Sequence, residues 1–180
     1  MKKNIFIKPT KYFGDVEVEV KEPDNKINGY ASFLAEYNFE QNIFVSIYDY
    51  NIMGNKLPLC WNIVNKYTEI NKIAKKAIIK NFSEENSIVK KYFEYFFEKE
   101  VRKREVINMF EVNNFEELDI RRLVKRLSYP DLTFYFVEDT IWQFSLDYAF
   151  LEYIYDDDAR LFVAFNEELK LIDFEIQFKE

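Results

Sequence analysis

The spacing of apolar residues changes period twice along this chain. From Phe13 to Ile47 the period is two. Val16, Val18 and Val20 alternate with Glu17, Glu19 and Lys21; Phe33, Ala35, Tyr37 and Phe39 form a second stripe, and Ile43, Val45 and Ile47 a third. Alternate residues of a strand point to opposite faces, so three half-buried strands are expected here. The segments between them are short and carry turn residues, Pro23-Asp24-Asn25 and Glu40-Gln41-Asn42, which predicts an antiparallel meander.

Beyond Pro58 the apolar residues recur every three or four positions. Leu59, Ile63, Tyr67, Ile70, Ala74 and Ala77 predict a helix of roughly five turns, and Pro58 suits its first turn, where a missing N–H costs nothing. Ser83 is the expected N-cap of a second helix over about 84–104, whose stripe of Ile88, Tyr92 and Phe96 is widened by Val89, Phe93 and Phe97. Residues 105–113 fit a short strand or a continuation of that helix. Asn114, with Glu117 three positions on, is a cap for a short helix carrying Leu118, Leu123 and Leu127 and ended by Ser128-Tyr129-Pro130.

After Asp131 the period returns to two. Leu132, Phe134 and Phe136 begin a second strand set, turned by Glu138-Asp139. Trp142, Phe144, Leu146, Tyr148 and Phe150 then oppose Gln143, Ser145 and Asp147. Past Asp156-Asp157-Asp158, Leu161, Val163 and Phe165 alternate. Ile172, Phe174, Ile176 and Phe178 are expected to face inward, against Asp173, Glu175 and Gln177. Strands, then helices, then strands predict an α+β fold, with antiparallel β-meanders at both ends flanking about three central helices. The pattern leaves open whether the strand groups form one sheet or two. A length of 180 residues fits a single α+β domain over 1–180, or its subdivision into strands plus helices at 1–110 and a helix plus β-meander at 111–180.

Charge alters this picture by its distribution. Residues 72–126 carry 14 basic and 10 acidic side chains, whereas residues 127–180 carry 3 and 13, so a net of +4 is followed by −10. Such segregation points to an electrostatically guided partner or to contact between the two regions. The aromatic fraction of 19% accompanies abundant Asn, Ile and Lys, a mixture that AT-rich codons alone produce. Cys60 is the only cysteine, so no intrachain disulfide forms, in keeping with a reducing cytoplasm. The apolar run Ile5-Phe6-Ile7 ends at Lys8-Pro9, too short for an export signal. No window approaches the roughly 20 apolar residues of a membrane span.

Candidate chemistry is sparse. With no histidine, the commonest general base and metal ligand is missing. Cys60, between Leu59 and Trp61 at a helix start, reads as a buried structural thiol without a paired base. The three glycines lie too far apart for a phosphate loop. Arg102-Lys103-Arg104 with Arg121, Arg122, Lys125 and Arg126 is the strongest basic patch, but nearby glutamates favour a salt-bridged helix surface over nucleic acid. Asp147, Glu152, Asp156, Asp157 and Asp158 are the densest carboxylates. They lack the spacing of a calcium loop, and consecutive side chains diverge, so a solvated or protein-binding edge is favoured over a metal site and no cofactor is expected.

Phe13-Gly14-Asp15-Val16 opening one strand, Gly29-Tyr30 opening the next, then helices and the meander from Asp147 to Phe178 resemble uncharacterised bacterial domain families, some found in toxin–immunity loci. The resemblance implies a small cytoplasmic binding protein that blocks a toxin domain, and it carries over no catalytic residue. A basic toxin would be recognised through Glu152, Asp156, Asp157 and Asp158, with Tyr153 and Tyr155 as aromatic anchors. The alternatives are a metal-dependent hydrolase using the same carboxylates and a structural module that pairs exposed strands between subunits.

Overall fold

A computed structural model describes residues 3–11, 14–21, 30–37, 41–48, 56–98, 100–137, 140–150 and 159–178. The first meander has four strands, β1 (Lys3–Thr10), β2 (Gly14–Lys21), β3 (Tyr30–Tyr37) and β4 (Gln41–Tyr48). The last three answer to the alternating stripes, and Val16, Val18 and Val45 are buried as their period requires. The first strand is an addition. Ile5-Phe6-Ile7 does not alternate, yet β1 pairs with β2 along its whole length, from Lys3 opposite Lys21 to Thr10 opposite Gly14. Gly14, the first residue of β2, takes a φ of 66° that a side chain would resist.

Five α-helices follow: α1 (Lys56–Val64), α2 (Tyr67–Phe82), α3 (Ile88–Glu98), α4 (Glu100–Phe110) and α5 (Ile120–Val124), with a 3₁₀ turn at Phe115–Glu117 before α5. The expected first helix is thus two. The Lys66 N–H donates to Ile63 O at 2.8 Å, which tightens the end of α1 before the chain restarts at Tyr67. Ser83 closes α2 and does not cap α3. Ser87 does, its Oγ accepting from the Lys90 N–H at 2.8 Å. Residues 105–110 continue in helix. Asn114 does cap as expected, accepting from the Glu117 N–H at 3.2 Å, but what it opens is the 3₁₀ turn; α5 has its own cap in Asp119.

The second meander is β5 (Asp131–Val137), β6 (Thr140–Ala149), β7 (Ala159–Phe165) and β8 (Leu171–Phe178). The α+β class holds, and the strand groups form one eight-stranded sheet in the order β1 to β8. All pairings are antiparallel except the central one, where β4 and β5 run parallel from Val45 opposite Leu132 to Tyr48 opposite Tyr135. A parallel pair cannot be joined by a hairpin, so the helices are the crossover that this junction demands.

Those helices bury one face of the second meander. The Tyr67 hydroxyl donates to Pro130 O and the Tyr148 hydroxyl to Asn71 Oδ1, each at 2.8 Å, tying the first turns of α2 to the β5–β6 region. Phe93 and Phe96 of α3 lie 5.0 and 5.2 Å from the Phe150 ring in edge-on contacts. Aromatic pairs of this kind add about 0.5–1.5 kcal/mol each beyond their buried area. Over the first meander, α1 is fastened by the Trp61 indole, which donates to Pro9 O at 2.8 Å. Cys60 is fully buried. No helix among the described residues is long and apolar enough to cross a membrane.

Two bulges change the expected faces. The register shifts between Tyr135 and Phe136, so Ile141, not Trp142, stands opposite Phe136 and is buried. A second shift sets Phe165 opposite Leu171 while Ala164 faces Asp173, leaving Ile172 as the extra residue.

Candidate functional site

Of the residues expected to form the site, Glu152, Tyr153, Tyr155, Asp156, Asp157 and Asp158 lie outside the described residues. Asp147 is described, and its carboxylate is engaged. The Arg160 Nε donates to Asp147 Oδ1 at 2.6 Å and Nη2 to Asp131 Oδ2 at 2.8 Å. Asp131 and Asp147 are direct cross-strand partners, a like-charge pair that repels unless a cation lies between them. Arg160, on the neighbouring β7, supplies it, and all three side chains are half-buried on the face away from the helices. This is a structural ion pair network across β5, β6 and β7. Beside it, Ser145 Oγ is buried with no hydrogen-bond partner. Among the described residues, no three His, Cys, Asp or Glu side chains group as metal ligands.

The acidic character of the C-terminal third is instead displayed on β8. It is the last strand of the sheet, and only Phe174 is buried along it. Ile172, Ile176 and Phe178 were expected to face inward with Phe174. Ile176 is half-buried, whereas Ile172 and Phe178 are 49% and 53% exposed, and Leu171 beside them is 44% exposed. The cause is position: as the last strand of the sheet β8 has one strand neighbour among the described residues, and α3 packs on it without covering its ends, Tyr95 meeting Phe178 at 4.8 Å. The bulge at Ile172 turns that side chain out of the stripe. β8 is therefore apolar at both ends and carries exposed Asp173 and Glu175 between them.

The turn leading into β8 is rigidly made. Asn166 Oδ1 accepts from the Glu168 and Lys170 N–H groups at 3.1 and 2.9 Å, and Leu169 takes a left-handed φ of 61°. Lys170 Nζ meets Glu168 Oε2 at 2.6 Å; this hydrogen bond, with the attraction of the charges, holds the Glu168 carboxyl below its usual range and the Lys170 ammonium above its own. The one lysine in this turn is thus occupied, and the edge stays acidic.

The basic patch read from the sequence is divided. Lys103 joins Glu94, Glu98 and Glu116 around a depression of about 370 Å³, in mixed charge. Arg121, Arg122, Lys125 and Arg126 stand apart on and after α5. The expected salt bridges do not form there, since none of the four has a carboxylate partner among the described residues. Of the glutamates that motivated the expectation, Glu117 accepts from the Asn113 N–H at 2.9 Å and Glu116 lines the depression with Lys103, while Asp119, nearer still, caps α5. Arg122 lies over the Phe110 ring, 5.4 Å from its centroid.

No family model matches the chain, and no curated protein or solved structure matches it either.

Proposed function

We propose that this chain is a non-catalytic cytoplasmic binding protein that engages a basic protein partner through the acidic C-terminal edge of its sheet. The single observation that supports this most is β8, where Leu171, Ile172 and Phe178 stay exposed around Asp173 and Glu175. Burying a large apolar side chain is worth roughly 1.5–3 kcal/mol, so three left open are side chains that a partner can use. The charges decide which partner. A second β8 laid against the first would bring acidic strands together, which disfavours self-pairing, whereas a basic surface gains association rate and register. The Phe174 N–H is taken by Asp173 Oδ1 at 2.7 Å, so docking through side chains is favoured over simple strand addition.

Together with the resemblance to toxin–immunity families, this extends to an inhibitor of a basic toxin domain, with Glu152, Tyr153, Tyr155 and Asp156–Asp158 widening the acidic surface. A metal-dependent hydrolase has less support, because Arg160 already neutralises Asp147 and Asp131. The test begins by capturing a partner from extracts of the producing cells and purifying it. Its affinity for the intact chain is then measured against ionic strength. A basic domain is expected, bound more weakly as salt rises toward about 0.5 M. Affinity indifferent to salt, to Ile172→Lys with Phe178→Lys, and to reversal of Asp156–Asp158 refutes the reading.

A further inference from the structure

We propose a second, separate site: the pocket between the end of α4 and α5 binds a small phosphate ester, for which AMP serves as the probe. The pocket holds about 320 Å³ and is lined by Met109, Phe110, Arg122, Lys125 and Arg126. That volume lies at the lower end of small-ligand sites, which run from about 300 to 1,000 Å³. It suits one nucleotide and little more.

Its chemistry is an apolar floor under a cationic rim. Arg122 is seated with its guanidinium over the Phe110 ring, which fixes the group while leaving its N–H edges free for an oxyanion. Lys125 and Arg126 follow three and four positions later, so all three cations project from one side of the turn. None has a carboxylate partner among the described residues. Cations this close repel one another, and a dianion with three acceptor oxygens relieves that repulsion better than a single carboxylate does. A simpler account is that the cations complement the C-terminal dipole of α4. That effect is worth about 0.3–1 kcal/mol and fades within one turn, which explains one cation and not three. The α4 end is also closed by its own backbone, the Val112 N–H donating to Ile107 O at 3.3 Å with Glu111 left-handed at φ 55°. The Ile107 carbonyl is therefore satisfied without the arginines.

The intact chain titrated by calorimetry with inorganic phosphate, pyrophosphate, AMP and adenosine tests this. AMP is expected to bind one-to-one at millimolar concentration or below, with phosphate and pyrophosphate competing and adenosine silent. Arg122→Ala with Arg126→Ala should weaken AMP at least tenfold, about 1.4 kcal/mol, with circular dichroism confirming the fold. Arg122→Lys, which keeps charge but loses the stacked fork, should fall between. The proposal is overturned if no phosphate compound binds at millimolar concentration, if the double variant binds AMP unchanged, or if adenosine binds as well as AMP. Tight binding of single-stranded RNA with no mononucleotide binding would also overturn it, in favour of a nucleic-acid surface.

Discussion

Strands β7 and β8 are two arms of one hairpin and carry the same kind of alternation, Ala159, Leu161, Val163 and Phe165 in one and Ile172, Phe174, Ile176 and Phe178 in the other. Every one of the first set is buried, and of the second only Phe174 is. β7 has strands on both sides, whereas β8 has one strand neighbour among the described residues, and α3 lies against both. Alternation therefore reports that a strand has two chemically different faces. Whether the apolar face is filled depends on what lies next to it, and at an edge an unfilled apolar face becomes available for binding.

The comparison is tested most strongly in β7. Phe165→Ala should cost about 3–5 kcal/mol in chemical denaturation, because its ring is fully buried against Phe144 at 5.7 Å. A cost below about 1 kcal/mol would mean that the two strands differ less than their burial indicates. Next comes the outward face of β7. Arg160→Leu takes the guanidinium from between Asp131 and Asp147, and a loss of about 1–3 kcal/mol is expected, less than for a fully buried pair because the side chains stay partly wet. Asp147→Asn in that background should recover part of the loss by removing half of the repulsion.

A pH titration sharpens the contrast from the β6 side. Burial raises the Tyr148 phenol well above its ordinary 10.0, so the folded chain keeps a proton that the unfolded chain releases. Stability should be insensitive to this group below pH 10 and fall as pH rises beyond it, and Tyr148→Phe should flatten that alkaline decline. The smallest positive effect is at the end of α4. Glu111→Gly relieves a left-handed φ of 55° and should stabilise by about 0.5–1 kcal/mol in thermal unfolding. Smallest of all, Ile172→Lys on β8, where the side chain is 49% exposed, should move stability by less than about 0.5 kcal/mol.

The strands β2 to β8 were legible because each carries a period of two bounded by turn residues. β1 was not, since Ile5-Phe6-Ile7 is a continuous run that reads equally as a broken export signal; only its pairing with β2 gives it a face. The break between α1 and α2 was hidden because Leu59 to Ala77 keeps helical spacing straight through Asn65-Lys66. Bulges leave no mark in a single sequence, and one of them set Ile141 opposite Phe136 while the other released Ile172. The candidate site was legible only in part. Its acidity was visible in the count of charges, and Asp147 was visible as a member, but its capture by Arg160 depends on a register that composition does not encode. The basic pocket was seen as a patch of residues and misread as salt-bridged, because Glu117 and Asp119 are committed to local caps that only the folded chain displays.

The central claim is that β8 is an exposed docking edge and β7 a structural strand. The most direct measurement compares the affinity of the captured basic partner for the intact chain and for Ile172→Lys with Phe178→Lys, each shown to be folded. The double variant should stay folded, losing the Phe178–Tyr95 ring contact worth about 0.5–1.5 kcal/mol, and bind at least tenfold more weakly, about 1.4 kcal/mol. Equal affinity of the folded double variant would contradict it.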